Sequence, residues 1–164
     1  MALNNYSKLR WATLLTPWLC LPLLLAQSSG YLTVGTPEKV VGKRNAAVQV
    51  RIPVTVKDGY HVNSNKPLDE SLIPLKLTWA STGALEGGEI AYPKPLMEKF
   101  EFSDPDKPLS VYMGKFELSA KFKVAANAPA GPGVASGKLK YQACSNKACY
   151  PPKTIDVNVS YQVQ

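Results

Sequence analysis

Ile155-Asp156-Val157-Asn158-Val159-Ser160-Tyr161-Gln162-Val163 decides the fold. Side chains of an extended chain alternate between two faces, so Ile155, Val157, Val159, Tyr161 and Val163 share one face and the four polar residues share the other. A stretch of this kind is a strand with one wall on a core and one in water. The pattern recurs upstream, where Val48, Val50, Ile52, Val54 and Val56 are separated by Gln49, Arg51, Pro53, Thr55 and Lys57. Pro53 has no N–H for a ladder, which predicts an edge position or a bulge for that strand. Shorter strands are predicted at Leu75 to Trp79, Lys99 to Phe102, Lys115 to Val124 and Lys138 to Ala143, each bounded by Pro, Gly, Asp or Ser. Ser103 to Leu109 and Ala125 to Gly137 read as the long loops, and Trp79 as a core residue. No segment keeps a helical period. Many short strands at this spacing predict an all-β fold, an antiparallel sandwich of immunoglobulin type, with a small barrel as the alternative.

The 164 residues are 45% hydrophobic and 19% charged, which suits one compact domain, residues 31–164, better than a disordered chain. The 14 Pro and 11 Gly interrupt the chain too often for a helical bundle. Residues 1–30 read as a secretory signal peptide: Lys8 and Arg10 precede an uncharged apolar run from Trp11 to Ala26, with cleavage expected near residues 26–28. That run is short for the roughly 20 residues of a membrane span, although retention as an anchor is the competing reading. Cys20 leaves with the signal. Of 19 Lys and Arg, losing Lys8 and Arg10 leaves 17 against 12 Asp and Glu, a net charge of +5. The lysines are scattered singly, which describes solvated sheet faces and not a nucleic-acid footprint. Once Cys20 has left, two Cys and one His remain, short of a four-ligand zinc site unless Asp or Glu is recruited, so neither metal nor other cofactor is expected.

Cys144 and Cys149 remain in the exported chain, separated by Ser145-Asn146-Lys147-Ala148 and placed between one strand and the last. The pair is expected at a hairpin tip. Antiparallel neighbours have Cα atoms about 4.5 to 5.5 Å apart, so a disulfide across the hairpin is geometrically feasible. Closing a ring of about six residues removes only about 2 kcal/mol of unfolded-chain entropy, so stabilisation is a weak reason for a bridge there. Spacing alone leaves a structural staple and a chemical tool both open. The two-residue spacing of thioredoxin-type motifs is absent, as is the helix that lowers the thiol pKa in them. Lys147 and Lys153 either favour a thiolate or are ordinary exposed turn lysines.

The residues around this pair resemble a known family. Tyr141-Gln142-Ala143-Cys144 followed by Cys149-Tyr150-Pro151-Pro152 is similar to the active-site hairpin of the N-terminal periplasmic domain of the thiol:disulfide interchange protein DsbD, the disulfide bond corrector domain. Lys57-Asp58-Gly59-Tyr60-His61 and Val111-Tyr112-Met113-Gly114-Lys115 fit in order, so the likeness covers most of the exported chain. The resemblance implies an immunoglobulin-like domain whose redox pair is Cys144 and Cys149. It would accept electrons from a thioredoxin-like protein or membrane thiol reductase and pass them to oxidised periplasmic proteins. It also implies a cap loop over the disulfide, matched here by Leu109 to Met113, with Tyr112 as the shielding aromatic. The alternative for Tyr112 is a plain half-buried strand residue. Cys144 is implied as the partner-bonding sulfur and Cys149 as the resolving one.

Two departures stand out. Family members with the full relay continue into a membrane domain and a thioredoxin-like domain, whereas this sequence ends at Gln164. It is therefore expected to rely on other proteins for transfer across a membrane. His61 and Asn63 occupy positions where the family places tyrosines beside the cysteines, and the Cys spacing is one residue shorter. His61, the sole His, either assists proton transfer or is a surface strand-end histidine. The competing function is a non-catalytic secreted binding or adhesion sandwich with a rigidifying disulfide. Hydrolase chemistry finds no Gly-x-Ser-x-Gly element to rest on.

Overall fold

The computed structural model describes residues 30–104 and 106–164, and the signal-peptide expectation lies outside them. Among the described residues twelve strands follow one another: β1 Leu32–Val34, β2 Val40–Gly42, β3 Ala47–Val56, β4 His61–Asn63, β5 Lys76–Ser81, β6 Leu85–Ala91, β7 Leu96–Glu98, β8 Leu109–Tyr112, β9 Lys115–Val124, β10 Gly131–Tyr141, β11 Ala143–Cys144 and β12 Lys153–Val163. They form one four-stranded sheet β1-β3-β9-β6, a second β2-β12-β10-β5 and a smaller third β11-β4-β8-β7. The first two sheets enclose a core to which β3 gives Val50, Ile52, Val54 and Val56 and β12 gives Ile155, Val157, Val159, Tyr161 and Val163. Every second residue of β12 from Ile155 onward is buried, the period of two that its sequence carries. The architecture is an immunoglobulin-like all-β sandwich, antiparallel throughout except where β2 runs parallel to β12.

Three expectations change. β3 is not an edge strand, because β1 and β9 flank it. Its Pro53 sits where the β1 pairing ends: Pro53 O accepts from Gly35 N at 2.8 Å, so the missing N–H faces the same side, past the last paired residue Val34. Residues 99–102 are not a strand. The pairing lies one step earlier, in β7, and Ser103 closes a turn behind it by bonding Phe100 on both its N–H (3.2 Å) and its carbonyl (2.9 Å). The stretch from Ala125 to Gly137 is a loop only as far as residue 130, for β10 pairs β12 from Gly131↔Val163 to Tyr141↔Lys153. The glycines that look like linker composition make room for aromatic rings, Tyr161 against Gly133 and Trp79 against Gly137. Trp79 itself is half-buried, edge-on to Phe122 at 5.1 Å.

Candidate functional site: a disulfide beside an open cleft

The β10–β12 ladder stops at Tyr141↔Lys153, and the chain then leaves that sheet to join β4. In the β11–β4 pair Ala143 lies opposite Val62 and Cys144 opposite His61. Cys149 returns across Cys144 in a single bridge, closed by a disulfide with Cα atoms 3.9 Å apart. The connecting turn is held by Ser145 N to Ala148 O (2.9 Å), and Tyr150 N donates to Ala143 O (2.8 Å). The tip therefore belongs to the small third sheet and is not a plain extension of the β10–β12 hairpin.

Register places Cys149, Cys144 and His61 side by side. The two sulfurs differ in access: Cys144 is 0% exposed, whereas Cys149 is half-buried and lines a cleft of about 390 Å³. Leu68, Leu72, Phe102 and Leu109 give that cleft its apolar wall, and Asp104 and Lys107, 3.6 Å apart, stand on its rim. His61 is 1% exposed and stacks on Phe100 at 3.8 Å, with Phe102 behind at 6.1 Å. Burial lowers its pKa to about 4, so the imidazole is neutral near pH 7. Its Nε2 has no hydrogen-bond partner.

Gln142 ties the base of the site together. Its Oε1 accepts from Asn63 Nδ2 and from Ile73 N, both at 3.0 Å, while its Nε2 donates to Tyr150 O at 3.2 Å. One side chain thus fixes the backbone on both sides of the cysteine ring. Among the described residues no group of three or more His, Cys, Asp and Glu is placed to hold a metal ion.

Residues 34–160 match the family described as "Thiol:disulfide interchange protein DsbD, N-terminal". The chain belongs to this family. Cys144–Cys149 is the disulfide of this domain. The N-terminal periplasmic domain of ScsB from Proteus mirabilis superposes with a TM-score of 0.56 at 14% identity, over 79% of this chain and 46% of that one, a likeness of fold. The DsbD N-terminal domain of Neisseria meningitidis, crystallised in the reduced form, aligns at 22% identity over 74% of this chain and 86% of that one, with a TM-score of 0.43. This chain spans less than half of the ScsB chain. No curated protein matches it significantly in sequence.

In this DsbD-type domain the residues expected around the disulfide fall into two groups. His61 and Asn63 do share the face of Cys144, since they alternate with Val62 on β4. The surface reading of His61 fails, because Phe100 and the neighbouring strand bury it. Leu109 to Tyr112 is no cap loop; it is strand β8, with all four residues buried. Tyr112 pairs with Val62, on the opposite face from Cys144, where it packs in the core against Phe116 at 4.8 Å and its hydroxyl lies 2.8 Å from Asn65 Oδ1. Met113 is exposed on the turn that follows. Tyr141 is a core residue, 1% exposed.

Tyr150 stacks on Tyr31 at 4.8 Å, with Tyr60 6.0 Å away. Burial, then the adjoining Tyr150 and Tyr31, raise the Tyr60 pKa. Lys153 sits over the Tyr31 ring at 5.1 Å and so belongs to this aromatic cluster. Lys147 is exposed at the tip. The aromatic residues over the site are Phe100 and Phe102, which the alternation rule had assigned to a strand. Gln142 stood inside the quoted motif, yet nothing in its residue type disclosed that it joins three segments.

Proposed function

We propose that the domain exchanges its disulfide with dithiol partners in the periplasm, taking electrons from a thioredoxin-like or membrane reductase and passing them to oxidised proteins. The unequal access of the two sulfurs carries this reading. Thiol–disulfide exchange is an in-line displacement that needs an open path to one sulfur. Cys149 offers that path from the cleft, while Cys144 is sealed beneath it. Attack falls on Cys149, and Cys144 is the leaving and resolving sulfur, the reverse of the order the resemblance implied. Phe100 and Phe102 act as the cap, because Phe102 walls the cleft beside Cys149 and stacks on Phe100 at 5.7 Å. Export by residues 1–30 would bring the domain to the compartment where such partners act.

Trapping tests the assignment. With Cys144→Ala, the Cys149 thiol has no internal partner and is expected to accumulate mixed disulfides with a thioredoxin-fold reductant, whereas Cys149→Ala yields few. A measured potential tests the activity itself: a working pair lies well above about −300 mV, and a value below that identifies a structural bridge.

A further inference from the structure

On the reading that partners open the Cys144–Cys149 bond, we infer that His61 is the polar partner of the Cys144 sulfur in the reduced protein, its Nε2–H donating a hydrogen bond to the departing thiolate. The oxidised structure leaves a polar atom with nothing to do: Nε2 is buried and unpartnered on a residue 1% exposed. Such an atom carries a desolvation penalty and is expected to be used in another state of the protein. The state that needs it is on the same face. Directly opposite residues of an antiparallel pair bring their Cβ atoms to about 4.5–5.5 Å, and His61 stands directly opposite Cys144.

The reaction creates the demand. A partner thiolate forms a bond to Cys149 Sγ, the Sγ–Sγ bond breaks, and the electron pair stays on Cys144 Sγ. That sulfur is 0% exposed, so water does not reach the new anion. The imidazole keeps its proton and supplies only the hydrogen bond. When the partner's second thiol gives its proton to solvent and displaces Cys149, that proton and the one released earlier by the attacking partner thiol return through solvent to the two cysteine sulfurs, leaving a dithiol here and a disulfide on the partner.

Other groups are poorly suited to this role. The Phe100 and Phe102 rings, which pack on the imidazole, are apolar. Asp69, Asp104 and Lys107 line the cleft on the Cys149 side. Asn63 has its Nδ2 engaged by Ile73 O and Gln142 Oε1, and its unpartnered Oδ1 only accepts. Burial keeps His61 neutral, which suits a donor that must not be an ion in the oxidised state.

The thiol pKa of Cys144 is read from thiolate absorbance in a Cys149→Ser chain, alone and combined with His61→Phe or His61→Gln. Phe keeps a flat ring against Phe100, and Gln keeps an N–H donor. His61→Phe is expected to raise that pKa by about one unit. With both cysteines present and the Cys144 thiol ionised, it is expected to shift the glutathione equilibrium about tenfold towards the disulfide, about 30 mV for two electrons. His61→Gln is expected to restore most of both. Unchanged values in His61→Phe, or a His61→Gln variant displaced as far as His61→Phe, overturn the assignment. If the Phe variant does not fold, imidazole nitrogen and proton resonances of the unsubstituted chain decide. Reduction is expected to shift the Nε2–H signal, and an unmoved signal overturns the proposal. The exchange reading fails differently, by a potential below the working range in the unsubstituted protein.

Discussion

Gln142 shows how much of the site rests on one neutral side chain. Its amide satisfies Asn63 Nδ2 and Ile73 N and donates to Tyr150 O. Gln142→Ala leaves partly buried donors without acceptors, a loss of about 1–3 kcal/mol that urea unfolding of the oxidised protein should display. His61 makes stability depend on pH with a defined sign. Its folded pKa of about 4 lies below the unfolded value of about 6.5, so between these values the unfolded chain binds a proton that the folded one refuses. The associated stability is whole above about pH 6.5 and is expected to fall by about 3 kcal/mol as pH drops through 4. Unfolding midpoints of His61→Phe over that window should be flatter than those of the unsubstituted protein. The sequence offered both cysteines by spacing and motif, and His61 and Asn63 by position. It did not offer the burial of His61, which depends on Phe100 arriving from a turn distant in sequence.

At the level of elements, the long strands were legible because their outward faces meet water, as β3, β9 and β12 show. The segments that misled were those where composition served packing. Gly133 carries no side chain because the Tyr161 ring occupies its place. Gly133→Ala therefore overpacks β10 against β12, with an expected loss of about 1–3 kcal/mol measurable by thermal or denaturant unfolding. The segment carrying Phe100 and Phe102 failed in the opposite way. Alternating Phe100, Glu101 and Phe102 looks like a strand, but the Ser103 side chain folds it into a turn that brings both rings to His61 and Phe102 to the cleft beside Cys149. If these rings limit access to Cys149, Phe102→Ala should speed reduction by a small thiol such as dithiothreitol by about tenfold, since exchange rates follow access. An unchanged second-order rate would show that Phe102 walls the cleft without guarding it.

Across the whole molecule, the core and the disulfide are separable, and this sets what the bond does for stability. The buried cluster runs from Leu32 to Val163 through the two large sheets and takes in Val62, Tyr112 and Ala143 of the third, whereas the Cys144–Cys149 bond, five residues in span, lies outside it. Their bond joins no distant elements. In the loop-closure account, opening so short a ring releases only about 2 kcal/mol, a modest part of the roughly 5–15 kcal/mol of a typical domain. The proposed exchange requires this arrangement, because the fold must survive both redox states. Cys144→Ala with Cys149→Ala should therefore stay folded and unfold in one cooperative step, less stable than the oxidised protein by about 2 kcal/mol plus the small packing loss of the buried Cys144 sulfur. Loss of cooperative folding in that variant, followed by circular dichroism during denaturant titration, would make the bond a structural clasp and remove the thermodynamic basis for repeated opening.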